Sequence, residues 1–335
     1  MRHHQPMRTI ARRVLHAVLL LWAVLTITFL LLHAAPGDPS TVLIPPSASA
    51  ADIARERARL GLDEPLVVQY ARWGGGILKG DLGESFTYHR PVLAVLGDAL
   101  PISLALGAAS LLLTFVIGVA VGGYQASRRG RPVDGVLTVV STAAYAAPSF
   151  WLALLLVAVF TYGAARWGLP PWLRLPAFGV RDPSGDARGI AAVLDVLRHA
   201  VLPVATLAAV GAAGVARYAR TILADVSGAG FVRTARAKGA SAARVQLHHV
   251  LPNAAPPLVV LFALSLPGVL AGSVFVETVF AWPGMGRLMV NAITARDYPL
   301  VMGAAAIYAA AVIGANLAAD LALPLMDPRM RDDAR

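Results

Sequence analysis

The residues best placed to do chemistry in this chain lie in one short run, Phe231-Val-Arg-Thr-Ala-Arg-Ala-Lys-Gly239-Ala-Ser241, followed at a distance by Leu251-Pro252-Asn253. Arg233, Arg236 and Lys238 supply cationic donors, which hold carboxylates or phosphates through charge-assisted hydrogen bonds. Gly239 is suited to the left-handed residue that stops a helix, and Ser241 to the cap that starts the next one. Pro252 and then Pro256-Pro257 are expected to end that second helix. Ala224–Leu251 therefore reads as helix, bend, helix with a basic face. Such an element can rest on anionic lipid or dock into a groove of a cytoplasmic protein.

Other chemistries find no residues to carry them. The chain has two lysines, Lys79 and Lys238, and neither follows a glycine, so no phosphate-binding Gly-Lys-Ser/Thr loop exists. Any ATP must be hydrolysed by another chain. There is no cysteine, hence no disulfide framework or thiolate chemistry. The His-Glu-x-x-His string of zinc proteases is absent. His248 and His249 are neighbours, and adjacent helical residues do not face one direction, which argues against a metal site. His3 and His4 stand in the N-terminal tail and carry no reading. The expectation is a non-enzyme with neither metal nor cofactor.

These residues must be positioned by an unusual chain. Of 335 residues, 57% are hydrophobic and 14% charged, against roughly 25% charged in globular domains. A larger core does not account for the deficit, because cores stop growing near about 250–300 residues; lipid as solvent does. The formal net charge is +10, but the basic residues do not cluster on one soluble domain, and nucleic acid is excluded as a partner.

A span needs about 20 mostly apolar residues, and six stretches qualify: Val14 to Leu32, Ala99 to Tyr124, Val133 to Phe160, Ala200 to Leu223, Pro257 to Val276, and Leu300 to Leu325. The first exceeds the usual apolar core of a signal peptide and reads as an uncleaved anchor. Basic residues concentrate on one side: Arg2, Arg8, Arg12 and Arg13 in the N-terminal tail, Arg128, Arg129 and Arg131 after the second span, Arg217 to Arg244 after the fourth, and Arg329, Arg331 and Arg335 at the C-terminus. By the positive-inside rule both termini are cytoplasmic. The fold class expected is an all-α polytopic membrane protein with six transmembrane helices. The chain divides into a cytoplasmic tail and first helix (1–33), an extracytoplasmic loop region (34–98), a five-helix core (99–325) holding the basic segment at 224–253, and a cytoplasmic tail (326–335).

In the long outer loop, Ala51–Leu60 has helix signals in Asp52 and Gly61, while Gly74-Gly75-Gly76 and Gly80-Asp81-Leu82-Gly83 read as turns. In the outer loop Tyr162–Arg198, Trp167 and Trp172 suit the interfacial aromatic belt. No charge falls at a span's centre; Glu277 and Asp320 lie near the ends of the fifth and sixth spans and read as interfacial, so an ion-driven carrier finds little support. Gly118 and Gly122 form a small-xxx-small face for close helix packing. Tyr145, Pro148 and Ser149 in the third span and Ser265 in the fifth, beside Pro267, are candidates for lining a pathway, since proline frees a carbonyl that hydroxyls can satisfy; a packed kink is the competing reading.

The basic segment resembles the EAA loop of binding-protein-dependent ABC importer permeases. That loop reads Glu-Ala-Ala, three residues, Gly, nine residues, Ile, one residue, Leu-Pro. Here Arg233-Thr234-Ala235 stands at Glu-Ala-Ala, Gly239 is the glycine, His249 stands at Ile, and Leu251-Pro252 close the motif. Arg-Thr-Ala-Arg-Ala-Lys-Gly is similar to the form used by the dipeptide/oligopeptide/nickel branch. So are Leu60-Gly-Leu-Asp-Glu-Pro65, Gly80-Asp-Leu-Gly-Glu-Ser85, Trp282-Pro-Gly-Met-Gly-Arg287, Arg296-Asp-Tyr-Pro299 and Asp327-Pro-Arg329, in order along nearly the whole chain. The resemblance implies the type I ABC importer permease fold in the inner membrane of a prokaryote, acting on peptides or similar small solutes. It implies partners too: a second, homologous permease, two cytoplasmic ATPase subunits and an extracytoplasmic substrate-binding protein. Arg233, Thr234, Ala235, Arg236, Lys238, Gly239, His249, Leu251 and Pro252 would couple to an ATPase cleft. The alternative is an autonomous secondary transporter or channel, which would need repeated broken helices; none is evident between the two halves.

Overall fold

A computed structural model describes residues 5–36, 49–185, 187–271 and 274–326. The regular structure among those residues is helical, with one isolated bridge between Glu84 and Pro91. Six helical stretches among them are long and apolar enough to cross a membrane: Arg12–Ala34, Val92–Ser127, Ser149–Arg166, Ile190–Ser227, Ala242–Val269 and Tyr298–Ala318. The side chains of Asp320 and of the basic residues before Arg12, the Asp327-Pro-Arg329 string and the basic residues beyond Met326 lie outside the described residues. The chain divides into two compact units, 1–103 with 283–317 and 104–282 with 318–335.

The first unit holds α1 (Gln5–Ala34), α2 (Ala50–Leu60), α3 (Leu66–Leu78), the start of α4 (Val92–Ser127), α12 (Met285–Thr294) and most of α13 (Tyr298–Met326). α2 begins as its sequence requires. The Ser49 hydroxyl accepts from the Asp52 amide at 3.2 Å while the Asp52 carboxylate accepts from the Ser49 amide at 3.1 Å. This reciprocal cap satisfies two otherwise orphaned donors. The hydroxyl and amide of Ser49 also hold the Asp52 carboxyl below its usual range. Gly61 closes α2 at φ +69.

The three glycines Gly74-Gly75-Gly76 are not a turn: they lie inside α3. A Cβ at Gly74 would stand 3.1 Å from the Trp22 ring of α1, so the missing side chain is what lets the two helices meet. The turn comes later, at Gly80 (φ +76) and Gly83 (φ +81).

Two strings far apart in sequence meet in this unit. Asp297 is fully buried between α12 and α13. Its carboxylate accepts from the Ser85 hydroxyl at 2.5 Å, the Thr87 amide at 2.9 Å and the Leu300 amide at 3.2 Å. Gly80–Ser85 and Arg296–Pro299 are thus two halves of one clasp, in which a buried anion is held by three donors. Arg296, at φ +54, turns the chain into it. Beneath it Val92, Leu96 and Ala99 of α4 pack with Met285 and Ala292 of α12 and Leu300 and Ala304 of α13, and the Ser103 hydroxyl accepts from the Met285 amide at 2.8 Å.

The second unit holds the rest of α4, α5 (Pro132–Ala146), α6 (Ser149–Val157), α7 (Ile190–Ser227), α8 (Gly230–Ala237), α9 (Ala242–Val245), α10 (Leu251–Ala271) and α11 (Val274–Val279). The expected single span Val133–Phe160 is broken. Ala147 is extended (ψ 130) because a residue before proline is driven from the helical region. α6 then restarts after Pro148 and continues through a π turn, Ala158–Gly163, to Arg166. Pro252 and Pro256-Pro257, expected to end a helix, do not. A π turn over Gln246–Val250 carries α9 into α10, with the Leu251 amide reaching back five residues to the Gln246 carbonyl. The wider turn makes room for the Pro252 ring, which in an α-helix would meet the carbonyl four residues back. The expected start of the fifth span at Pro257 therefore moves back to Ala242.

α4 and α7 approach closely. A Cβ at Gly122 would lie 2.5 Å from the Ala216 carbonyl oxygen, and one at Gly118 2.6 Å from Val215 Cβ. Glu277 of α11 has no exposed surface, so the carboxylate expected at an interface lies inside protein.

Two predictions follow from these contacts. Asp297→Ala strands three donors and is expected to cost about 3 kcal/mol of folding stability, against about 1 kcal/mol for Ser85→Ala; SDS-titrated unfolding in mixed micelles measures both. Gly122→Ala is expected to lower stability by about 1–3 kcal/mol through overpacking. Gly135→Ala, in α5 with open space around it, is expected to be neutral or to gain up to about 1 kcal/mol from helix propensity.

Candidate coupling site

α7 ends at Gly228, and the chain turns at once into α8, whose first residue is Gly230. α8 has two faces. Val232 and Ala235 point inward and pack with Ala219 and Leu223 of α7, Ala126 of α4, Val245 and Val250, and Ala254 and Leu258 of α10. Phe231, Arg233, Thr234, Arg236 and Lys238 are exposed. This split follows from spacing: positions 232 and 235 share a face, while 233, 234 and 236 flank it.

The bend is built as its residues require. Gly239 sits at φ +81. Its amide donates to the Arg236 carbonyl at 2.9 Å, and the Ala240 amide reaches the Ala235 carbonyl at 3.2 Å, which closes the helix. Ser241 caps α9, its hydroxyl accepting from the Arg244 amide at 3.4 Å. The Asn253 side chain donates to the His249 carbonyl at 2.6 Å on the far side of the π turn. Leu247 and His248 of that turn are exposed.

The nine candidate coupling residues therefore play different parts. Arg233, Thr234, Arg236, Lys238, Gly239 and Pro252 lie on the surface, and His249 and Leu251 are half-buried. Ala235, at 8% exposure, faces the chain's own interior; it shapes the platform rather than touching what lies outside it. The exposed set offers cationic donors beside an exposed Phe231, suited to a partner surface that combines carboxylates with an apolar socket.

A support beneath the segment was not singled out in sequence. Arg220 of α7 donates from Nε and Nη2 to the two carboxylate oxygens of Asp134 of α5, both at 2.7 Å, and the Gly130 amide donates to the same carboxylate at 3.1 Å. Asp134 is 4% exposed. This bidentate pair ties the start of α5 to α7 about two turns before α7 ends. In sequence Arg220 reads as one of several basic residues after the fourth span, and 86 positions separate it from Asp134.

The four pathway candidates stand in different local surroundings. Tyr145 is exposed near the end of α5, with the Arg217 guanidinium 4.6 Å above its ring. Pro148 is exposed at the break between α5 and α6, where it starts the restarted helix; Ser149 is half-buried beside it. The Ser265 hydroxyl donates to the Leu261 carbonyl at 2.8 Å within its own helix.

Comparison with known proteins agrees with this architecture. Residues 115–332 match the family described as binding-protein-dependent transport system inner membrane component, and residues 6–107 match its N-terminal membrane-component model. The oligopeptide transport system permease protein AppB of Bacillus subtilis is 35% identical over 322 residues, covering 96% of this chain and 98% of AppB. The di/tripeptide transport system permease protein DppB of Pseudomonas aeruginosa is 35% identical over 332 residues, covering 96% and 98%. The dipeptide transport system permease protein DppB of Escherichia coli K12 is 32% identical, covering 91% and 93%. Among solved structures, a chain of the inward-facing MetNI methionine ABC transporter aligns with 70% of this chain at TM-score 0.48 and 18% identity, too slight a likeness to carry detail. The chain is a multi-pass cytoplasmic-membrane protein and belongs to the binding-protein-dependent ABC importer permeases, in their peptide branch.

Proposed function

We propose that this subunit forms half of an ATP-driven import pathway for peptides or similar small solutes, and that α8, the Gly239 bend and α9 receive the work of ATP hydrolysis from a cytoplasmic ATPase. Substrate would arrive on an extracytoplasmic binding protein, and a second permease would complete the pathway. The observation that carries this reading is the division of α8: Val232 and Ala235 anchor it to the ends of α4, α7 and α10, while Arg233, Arg236 and Lys238 stand free on the other face. A helix held rigidly on one side and cationic on the other can transmit a push without being pulled off its own bundle. The absence of a Gly-Lys-Ser/Thr loop supports hydrolysis on a separate chain. Family membership favours this reading over a secondary transporter, and the names of the relatives support peptides as the cargo class.

The test separates docking from folding. Arg233→Glu/Arg236→Glu reverses the exposed charge without touching the buried side. It is expected to abolish peptide uptake and substrate-stimulated ATPase activity in proteoliposomes of the complete transporter, and to lose co-purification of the ATPase, with membrane insertion unchanged. Gly239→Pro is expected to give the same losses, because proline does not adopt φ near +80; Ala235→Trp is expected to do so from within, by forcing α8 off its anchor. Normal uptake with the ATPase still bound in the double-Glu variant would show that this segment is not the docking element.

A further inference from the structure

The stretch 34–98 reads in sequence as a loop outside the membrane, yet its two helices are dressed for different solvents. α2 is built for water: Arg55 pairs with Asp52, Arg59 with Glu56 at 2.6 Å and Arg57 with Asp63 at 2.9 Å. α3 presents the reverse. Its outward face carries Val67, Val68, Ala71, Gly75 and Leu78, with Val67 78% and Leu78 80% exposed. A surface helix in water is expected to turn its charged side outward. Of the two charges near that face, Arg72 is paired with Glu64, before the helix starts, and Lys79 is exposed at the C-terminal cap directly after Leu78, where its long side chain can reach for polar surroundings.

The inward face shows how deep α3 lies. Gln69 meets the His33 ring at 3.2 Å, Tyr70 bonds the Thr26 hydroxyl at 2.7 Å, the Trp73 ring stacks on Phe29 at 5.6 Å, and Gly74 abuts Trp22. Between Gln69 and Gly74 the partners on α1 run from His33 back to Trp22, so the helices are antiparallel. His33 stands at the end of the apolar run of α1 and Trp22 near its middle. The distance between those levels is about 16 Å at 1.5 Å per residue, roughly half of a hydrocarbon core of about 30 Å. A helix paired along half of a spanning segment lies at membrane depth.

We propose that α3 is a re-entrant helix that enters the leaflet at the C-terminal end of α1 and lays its Val67–Ala71–Leu78 face against lipid acyl chains. That face continues the lipid-facing surface of α1, where Ile27, Leu30 and Leu31 are likewise exposed. The return from the tip meets the requirement that backbone polar groups be satisfied away from water. The Lys79 and Asp81 amides both donate to the Gly76 carbonyl at 2.9 Å, and the Gly80 amide donates to Ile77 at 2.9 Å. Asp81 then lines a cleft of 390 Å³ beside Arg59, Glu84 and His89, a polar surround for a charge at that depth.

The chain has no cysteine, so each single-cysteine variant offers one labelling site on this subunit. Nitroxides at Val67, Ala71 and Leu78, with Ala54 of α2 as aqueous control and Leu20 of α1, exposed near the level of Trp22, as lipid control, are read by collision with oxygen and with a nickel chelate in proteoliposomes of the complete transporter. The expected result is an oxygen-to-nickel ratio at Leu78 matching Leu20 and far above Ala54, falling through Ala71 to Val67. Nickel accessibility at Leu78 equal to Ala54 would overturn the proposal in favour of a helix standing in water. Equal ratios at Val67 and Leu78 would overturn it in favour of a helix lying flat at the interface. Exclusion of both reagents would mean that a protein partner, not lipid, covers the face.

Discussion

The second unit depends on how closely α4 and α7 approach. Gly118 and Gly122 allow the Ala212 and Ala216 backbone to come within a distance that a Cβ would forbid. In lipid no hydrophobic force drives apolar helices together, so association rests on such close van der Waals fit and on polar contacts. The buried cluster beneath α8 begins where this contact ends: Ala126 of α4 and Ala219 and Leu223 of α7 are its floor, and Val232 and Ala235 sit on it. The orientation of the basic face is thus set by two glycines several turns away. The Asp134–Arg220 pair adds α5 to the same assembly, and its two-pronged geometry fixes angle as well as distance.

What could be read in the sequence was what is local. The bend at Gly239 and the cap at Ser241 follow from steric and hydrogen-bonding preferences of single residues, and the structure has both. The same logic failed at Gly74–Gly76 and at Pro252. Three glycines signal a turn in water, where their backbone is free to wander. Here the contact of Gly74 with Trp22, between residues 52 positions apart, holds them helical. Pro252 signals a stop, but a π turn widens the helix around it, a device that depends on the register of the preceding five residues and has no residue-type signature. Pro148, with no such turn in front of it, does break its helix.

Strings that resemble family motifs acquire separate physical reasons once paired. Ser85 and Asp297 stand 212 positions apart, and neither string shows in sequence that the other exists. Together they form a buried carboxylate with three donors, a group costly to bury and stable only when every partner is present. The sequence also concealed direction. Ala235 lies within the candidate coupling motif and invites a reading as a contact residue, yet it faces the chain's own core. Among the motif's residues, position on the helix rather than membership of the string separates the ones that can reach a partner from those that hold the platform.

Pattern and depth together bear on what the 34–98 region is. A hydropathy window long enough to detect a span averages α3 away, because thirteen residues fall short of a crossing. The same window passes over α2 for the opposite reason, its charge. Only the pairing of Gln69, Tyr70 and Gly74 with successively deeper levels of α1 separates a helix resting above the bilayer from one that enters it. Composition limits which solvent a helix face tolerates; the neighbour it packs against sets which solvent it meets.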